Sequence, residues 1–314
     1  MTILLHGTGL DATPWLAALQ AQAPSRRVVT AADTDRFGDV RYALVWKPPA
    51  GLLAQLPRLE VIVNLGAGVD AILADTSIPK HIPIIRSVDP NITMRMTEWV
   101  VLQVLYHHRQ MPAYLAQQRN RIWRDLPQKA ASALTVGLMG AGVLGQSAAK
   151  VLQALGFTVI GWSRGPKAGL AFPVQHGEAG LRAFLGQTDI LVCTLPLTPE
   201  TTGILNYDLL RRLRRTGALG GPVLINGGRG KEQVESDILR ALDDGTLVGA
   251  TLDVFVTEPL PATSLLWLHP KLTITPHIAA DSDPDAMTGY VLGQLARHEA
   301  GLRMDNVVDR ATGY

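Results

Sequence analysis

The feature that most restricts this chain lies in its middle. Gly140-Ala141-Gly142-Val143-Leu144-Gly145 follows an apolar run, Thr135–Met139, and opens a helical pattern that stops at Gly156. A second apolar run, Thr158–Trp162, comes next. Strand, tight turn, helix and strand in that order make a βαβ unit, which belongs to a parallel sheet. A short glycine pattern recurs by chance, but here each glycine has a task. Gly140 permits the turn, Gly142 lets the backbone approach a pyrophosphate, and Gly145 lets helix and strand pack closely. The helix N-terminus adds N–H groups and positive dipole, so the segment Gly140–Gly145 is expected to hold a dinucleotide. Leu144, Ala148, Val151, Leu152 and Leu155 are expected to form the buried face of the helix.

Strand and helix patterns alternate along the rest of the chain. Strands are expected at Ile3–Leu5, Ala43–Trp46, Leu59–Asn64 and Ile82–Ile85, and again at Ile190–Leu195, Val223–Asn226, Gly249–Phe255 and Leu272–Thr275. A long helix runs from Thr97 to about His107, and a polar stretch without period follows to Ser132. Asp283 and Pro284 start a last helix and Gly301 stops it. At about 150 residues per domain, 314 residues make two domains. Because the glycine motif falls mid-chain, the last helix should return to the first lobe. The expected fold class is therefore α/β, with two doubly wound parallel-sheet domains and an active-site cleft between them. Residues 1–97 with 282–314 would be a flavodoxin-like substrate domain, and 98–281 a Rossmann-type cofactor domain. The helix from Thr97 and the segment Asp281–Asp283 would be the hinge crossings.

Composition excludes several classes. Lys+Arg 29 against Asp+Glu 27 gives a net charge of +2, which does not suit a nucleic-acid partner. The 47% hydrophobic content argues against disorder. Cys193 is the single cysteine, so no internal disulfide and no cysteine zinc site can form. His107 and His108 are adjacent on a helix and face different ways, and there is no H-E-x-x-H, so no metal is expected. No apolar run approaches the roughly 18–20 residues that span a bilayer, and the N-terminus lacks signal-peptide features. A cytoplasmic protein is expected.

The end of the second strand of the βαβ unit distinguishes cofactors. An NAD site usually carries an acid there that binds the ribose 2′-OH. This chain has Ser163-Arg164-Gly165-Pro166-Lys167, with no carboxylate to repel a 2′-phosphate. Arg164 offers a planar fork and Lys167 a second charge. NADP(H) is expected to be preferred, without closing the site to NAD(H).

Three later segments each place one chemical group after a strand: Asn226-Gly227-Gly228-Arg229-Gly230, Asp253-Val254-Phe255-Val256-Thr257-Glu258-Pro259, and Thr275-Pro276-His277. Strand ends of a parallel sheet share one edge, so Arg229, Glu258 and His277 can converge although they are far apart in sequence. Together with Gly140–Gly145 and Leu195-Pro196-Leu197-Thr198, these segments resemble the D-isomer-specific 2-hydroxyacid dehydrogenases over essentially the whole chain. Trp162-Ser163-Arg164, Leu65-Gly66-Ala67-Gly68-Val69-Asp70 and the ending Val308–Tyr314 are most similar to the branch that reduces glyoxylate to glycolate and hydroxypyruvate to D-glycerate.

The resemblance implies an NADPH-dependent reductase of small 2-oxoacids. Arg229 would clamp the substrate carboxylate and polarise the 2-oxo group. His277 would be the general acid, oriented and favoured in its protonated form by Glu258. Asp253 would bind the nicotinamide carboxamide, and Leu195-Pro196 would line the cofactor. The backbone amides of Ala67, Gly68 and Val69 would hold the substrate carboxylate, and Trp46 would line its pocket or sit in the core. His269 reads as a structural turn residue. The family commonly has other residues than Gly227 and Gly228 before the arginine, so a looser loop is expected here. A homodimer is the family's assembly, with Met111–Ser132 a candidate contact. The same chemistry on a bulkier 2-oxoacid, and a nucleotide-sensing binding protein like the corepressors of this fold, are the alternatives. A methyltransferase would leave the three later segments unexplained.

Overall fold

The computed structural model describes residues 1–313. The last residue of the C-terminal signature, Tyr314, lies outside the described residues. The chain divides into two compact units, Met1–Ile92 with Asp281–Tyr314, and Thr93–Ala280.

Unit 1 carries β1 (Thr2–Gly7), β2 (Arg27–Val29), β3 (Val40–Trp46), β4 (Val61–Asn64) and β5 (Ile84–Ile85). They form a parallel sheet of order β2-β1-β3-β4-β5, the flavodoxin-like winding. Val61, Ile62 and Val63 are fully buried, as expected of strands covered on both faces. Helix α1 (Ala12–Gln22) is capped by the Asp11 carboxylate, which accepts the Thr13 N–H at 2.9 Å. The last helix, Pro284–Glu299, is capped by Asp283, and its Glu299 takes a two-pronged pair at 2.6 and 2.8 Å from Arg26, in the turn between α1 and β2. The ending then returns to the sheet edge, where Val308 N–H donates to Ile84 C=O at 2.8 Å.

Unit 2 holds α3 (Pro90–His108) from Thr93 onward and α4 (Met111–Arg119). Its seven strands are β6 (Thr135–Met139), β7 (Thr158–Ser163), β8 (Val174–His176), β9 (Ile190–Cys193), β10 (Val223–Asn226), β11 (Gly249–Leu252) and β12 (Leu272–Ile274). All pair in parallel in the order β12-β11-β10-β9-β6-β7-β8. This is the Rossmann order, and it reverses direction between β6 and β9. Helix α5 (Val143–Ala154) follows the glycine turn.

Several expectations need correction. The long helix starts at Pro90, not Thr97, with proline tolerated in the first turn because its missing N–H would have no helical partner there. The polar stretch contains α4, whose one buried residue is Gln117; without an apolar stripe it left no period to read. Strands β2 and β8 are short, partly exposed and were not expected. Helix α5 buries Gly145, Ala148, Ala149 and Leu152, while Val151 and Leu155 are exposed. Its sheet-facing side uses small residues, because the glycine turn draws the helix too close for large ones. Among the described residues, no helix is long and apolar enough to cross a membrane.

Candidate active site

The register of unit 2 lines up the strand ends. Met139 pairs with Cys193, Cys193 with Asn226, Asn226 with Leu252, and Leu252 with Ile274. The loops that begin at Gly140, Thr194, Gly227, Asp253 and Thr275 therefore leave the sheet along one edge. The expected strands Ile190–Leu195, Gly249–Phe255 and Leu272–Thr275 each end earlier, and the residues they lose are those of the site.

The glycine turn fits a dinucleotide. Gly140 has φ +114°, and a Cβ there would stand 2.8 Å from the Thr194 carbonyl of the neighbouring loop. A Cβ on Gly145 would enter the Gly140 carbonyl oxygen. At Gly142 a Cβ would meet nothing within 4 Å, and the residue is exposed at the start of α5. Ala141 is buried and Val143 exposed. The turn is thus closed where helix meets sheet and open where a pyrophosphate would lie on the helix N-terminus.

At the end of β7 the Ser163 hydroxyl donates to Gly165 C=O at 2.7 Å and shapes the turn that carries Arg164 and Lys167. Both cations are exposed. The absence of a carboxylate here, expected from the local sequence, does not hold in space. Glu200, from the turn after β9, places Oε2 at 3.6 Å from Arg164 Nη1. Leu195 is buried and Pro196 half-buried at the start of that turn.

Arg229 stands after β10, half-buried, with Nη1 donating to Gly228 C=O at 2.9 Å. Its backbone N–H donates to Glu232 Oε2 at 3.0 Å, and Glu232 is fully buried. The Cys193 thiol donates to the same oxygen at 3.4 Å. Burial, and the Glu232 carboxylate beside it, push that thiol's pKa well up. The loop is not loose. A Cβ on Gly227 would stand 2.9 Å from the Trp99 ring, and one on Gly228 would collide with Glu232 Oε2. Both glycines are buried because neighbours occupy the space of a side chain, which corrects the reading from backbone freedom alone.

Asn226 ties this loop to the next one. Its Oδ1 accepts Gly228 N–H at 3.0 Å and its Nδ2 donates to Gln233 Oε1 at 2.8 Å. Gln233 Nε2 donates onward to Val254 C=O at 2.9 Å. Gly230 lies against the Phe255 backbone. Phe255 N–H in turn donates to Glu258 Oε1 at 3.1 Å, and Glu258 Oε2 lies 2.8 Å from His277 Nδ1. Hydrogen bonds and backbone packing thus lead from the Arg229 loop to the imidazole.

His277 has a left-handed backbone, φ 57°, uncommon for a residue with a side chain. Asp253 holds it there. The Asp253 carbonyl accepts His277 N–H at 2.8 Å. Its fully buried carboxylate accepts the Thr275 hydroxyl and the amides of Ile278 and Ala279 at 3.0 and 2.9 Å. The acid expected to meet a carboxamide thus also anchors the His277 loop. His269 accepts Lys271 N–H at 3.2 Å and stays in a turn. Among the described residues, no group of three His, Cys, Asp or Glu side chains is placed to hold a metal ion.

In unit 1, the buried Asn64 side chain donates to Gly66 C=O and Gly68 C=O at 2.7 and 2.8 Å. This fixes the turn of Ala67, Gly68 and Val69 at the end of β4, ahead of α2 (Asp70–Leu73). A Cβ on Gly66 would enter the Trp46 ring, so Trp46 packs beneath that turn rather than in the central core.

Glu232, Gln233, Asn226 and Glu200 were not singled out from the sequence. Glu232 had a signal: an acid three residues after a loop residue is capping-box spacing. Glu200 had none, because it meets Arg164 only across the sheet edge.

Residues 101–279 match the family model described as D-isomer specific 2-hydroxyacid dehydrogenase, NAD binding domain. The chain is 41% identical to the glyoxylate/hydroxypyruvate reductase A of Serratia proteamaculans over 320 residues, covering all of both chains. Among solved structures it is similar to the NADPH-dependent glyoxylate/hydroxypyruvate reductase of Sinorhizobium meliloti in complex with NADP and sulfate. That match has a TM-score of 0.94 and 45% identity, covering 100% of this chain and 99% of the other. A D-isomer specific 2-hydroxyacid dehydrogenase from Xanthobacter autotrophicus in complex with NADPH and MES matches with a TM-score of 0.91 and 39% identity, over 99% of each chain.

Proposed function

The chain belongs to the D-isomer specific 2-hydroxyacid dehydrogenase family, and from that premise we propose that it reduces small 2-oxoacids, glyoxylate and hydroxypyruvate first, at the expense of NADPH. It is an oxidoreductase whose cofactor domain is unit 2. The observation that carries the reading is the linked set Arg229, Glu258 and His277 on the strand-end edge that also bears the glycine turn.

Gly140–Gly145, Ser163, Arg164, Lys167, Leu195, Pro196 and Asp253 would hold NADPH, and the reduced nicotinamide supplies a hydride when bound. The other tasks fall to the chain's own side chains. Arg229 binds the 2-oxoacid carboxylate with its guanidinium fork and draws electron density from the neighbouring carbonyl. His277 gives its Nε2 proton to the carbonyl oxygen as that oxygen gains charge, and takes it back in the reverse direction. Glu258, with Oε2 2.8 Å from Nδ1, holds the ring in place from that side and leaves the proton transfer to Nε2. Asp253 fixes the backbone of the acid, and Glu232 that of the clamp. In unit 1, the turn Ala67–Val69 is the anion-binding element we propose for the substrate carboxylate, with Trp46 as its support.

The setting we propose is a cytoplasmic homodimer. Ile122 and Trp123, both exposed, lie in the segment expected to meet a partner. The test is a panel of 2-oxoacids with NADPH and NADH side by side. Turnover of glyoxylate and hydroxypyruvate, faster with NADPH, is expected. Tight nucleotide binding without turnover of any 2-oxoacid would replace the enzyme reading with a sensor.

A further inference from the structure

The two residues that face each other across the β7 and β9 loops carry opposite charge, and the local sequence had assigned only one of them. Arg164 is the first residue after β7, where the ribose 2′ position of a bound dinucleotide falls in this fold. Glu200 reaches it from the turn after β9, with Oε2 at 3.6 Å from Arg164 Nη1.

That turn is built rather than slack. Thr201 Oγ1 accepts Thr198 N–H at 2.8 Å and donates to Pro196 C=O at 2.8 Å. The Thr202 hydroxyl donates to Thr198 C=O at 2.9 Å. On the other side, the Ser163 hydroxyl fixes the Arg164 turn. A hydrogen bond from Thr198, and the Arg164 charge, hold the Glu200 carboxyl below the usual carboxylate range. The pair therefore meets any ligand as a carboxylate beside a guanidinium.

We propose that Glu200 is a specificity-determining residue of the cofactor site, one that restrains the preference for a 2′-phosphate which Arg164 creates. This rests on the reading of the chain as an NADPH-dependent reductase. A 2′-phosphate must take Arg164 from the carboxylate and then lie beside that carboxylate, like charge against like charge. A ribose without phosphate meets no such penalty, and its 2′-OH can donate to Glu200 as it does to the usual acid of an NAD site. One side chain thus works against NADP(H) and for NAD(H). Both partners are half-exposed, so the effect is modest and sensitive to salt: about three- to tenfold in affinity at low ionic strength.

The test is Glu200→Gln, a substitution at an exposed site that keeps the shape of the side chain. Dissociation constants for NADPH and NADH are measured by nucleotide fluorescence without any 2-oxoacid, at about 20 mM and about 500 mM salt. The expected result is NADPH binding tighter by about three- to tenfold in the variant at low salt, with NADH unchanged or weaker. At high salt the NADPH gain should largely vanish. Equal shifts for both nucleotides, no shift, or a gain that survives high salt would overturn the proposal. Arg164→Ala, run in parallel, separates the two levels. If it abolishes the NADPH preference while Glu200→Gln changes nothing, only the role of Glu200 fails. If it leaves the preference intact, the 2′-phosphate assignment fails and the role of Glu200 with it.

Discussion

His107 offers a test of how unit 2 is held together beneath the site. It lies in the last turn of α3, buried, with Nε2 at 2.8 Å from the hydroxyl of Thr251 in the middle of β11. Gln103, one turn earlier, reaches the same hydroxyl at 3.4 Å. Burial pushes the His107 pKa down to about 4 from an ordinary 6.5. Between those values the unfolded chain binds a proton that the folded chain refuses, so stability falls as pH drops through that window and is level above and below it. From the two pKa values the loss is about 2 kcal/mol at pH 5 and about 3 kcal/mol below pH 4. The assay is urea unfolding of wild type and His107→Gln from pH 7.5 to pH 4.5, with Gln chosen because its amide still reaches a hydroxyl and does not titrate. The variant should be less stable at neutral pH and should lose about 2 kcal/mol less than wild type by pH 5. His6 and His108, whose pKa values are also lowered by burial, act in both proteins and cancel in the comparison. Parallel pH profiles for the two proteins would refute the reasoning.

Three further outcomes concern the site. His277→Ala should lower kcat by on the order of 10²–10⁴ while the NADPH dissociation constant stays within about twofold; retention of most of kcat removes His277 as the acid. Glu232→Leu should raise the 2-oxoacid KM about tenfold or more through loss of the cap on Arg229, and Glu232→Gln, whose amide oxygen can still accept the Arg229 N–H, should recover most of it. Equal damage from both would point to the charge, not the cap. Gly145→Ala puts a methyl group into the Gly140 carbonyl and should weaken NADPH binding by about tenfold or more, read by nucleotide fluorescence.

The buried strands were legible as short apolar runs, and β6 and β10 have the expected bounds, whereas β2 and β8, short and partly exposed, gave no such run. What sequence could not give was anything created by packing. Helix α4 has no apolar stripe, and the small residues of α5 look less like a core face than Val151 and Leu155 do. Arg229, Glu258 and His277 were legible as groups placed after strands, since parallel pairing sends every such group to one edge. The hydrogen-bonded support between them was not. Asn226, Gln233 and Glu232 are ordinary polar residues until β9, β10 and β11 lie side by side and bring their ends together. Gly227 and Gly228 show the same limit. Read along the chain they suggest freedom; in space they mark where Trp99 and Glu232 leave no room.

The order of strands in unit 2 also bears on the chain's history at the ribosome. The glycine turn sits on β6, the first strand of the sheet to be synthesised, and His277 follows β12, the last strand and an edge strand. A nascent chain that has emerged only as far as β11 already contains the glycine turn and Arg229, but not His277, the proton donor we propose. Nucleotide can help such an intermediate fold, as any ligand of the folded form does. Reduction by the proposed mechanism must wait until β12 is added and Asp253 draws the His277 loop into its left-handed turn.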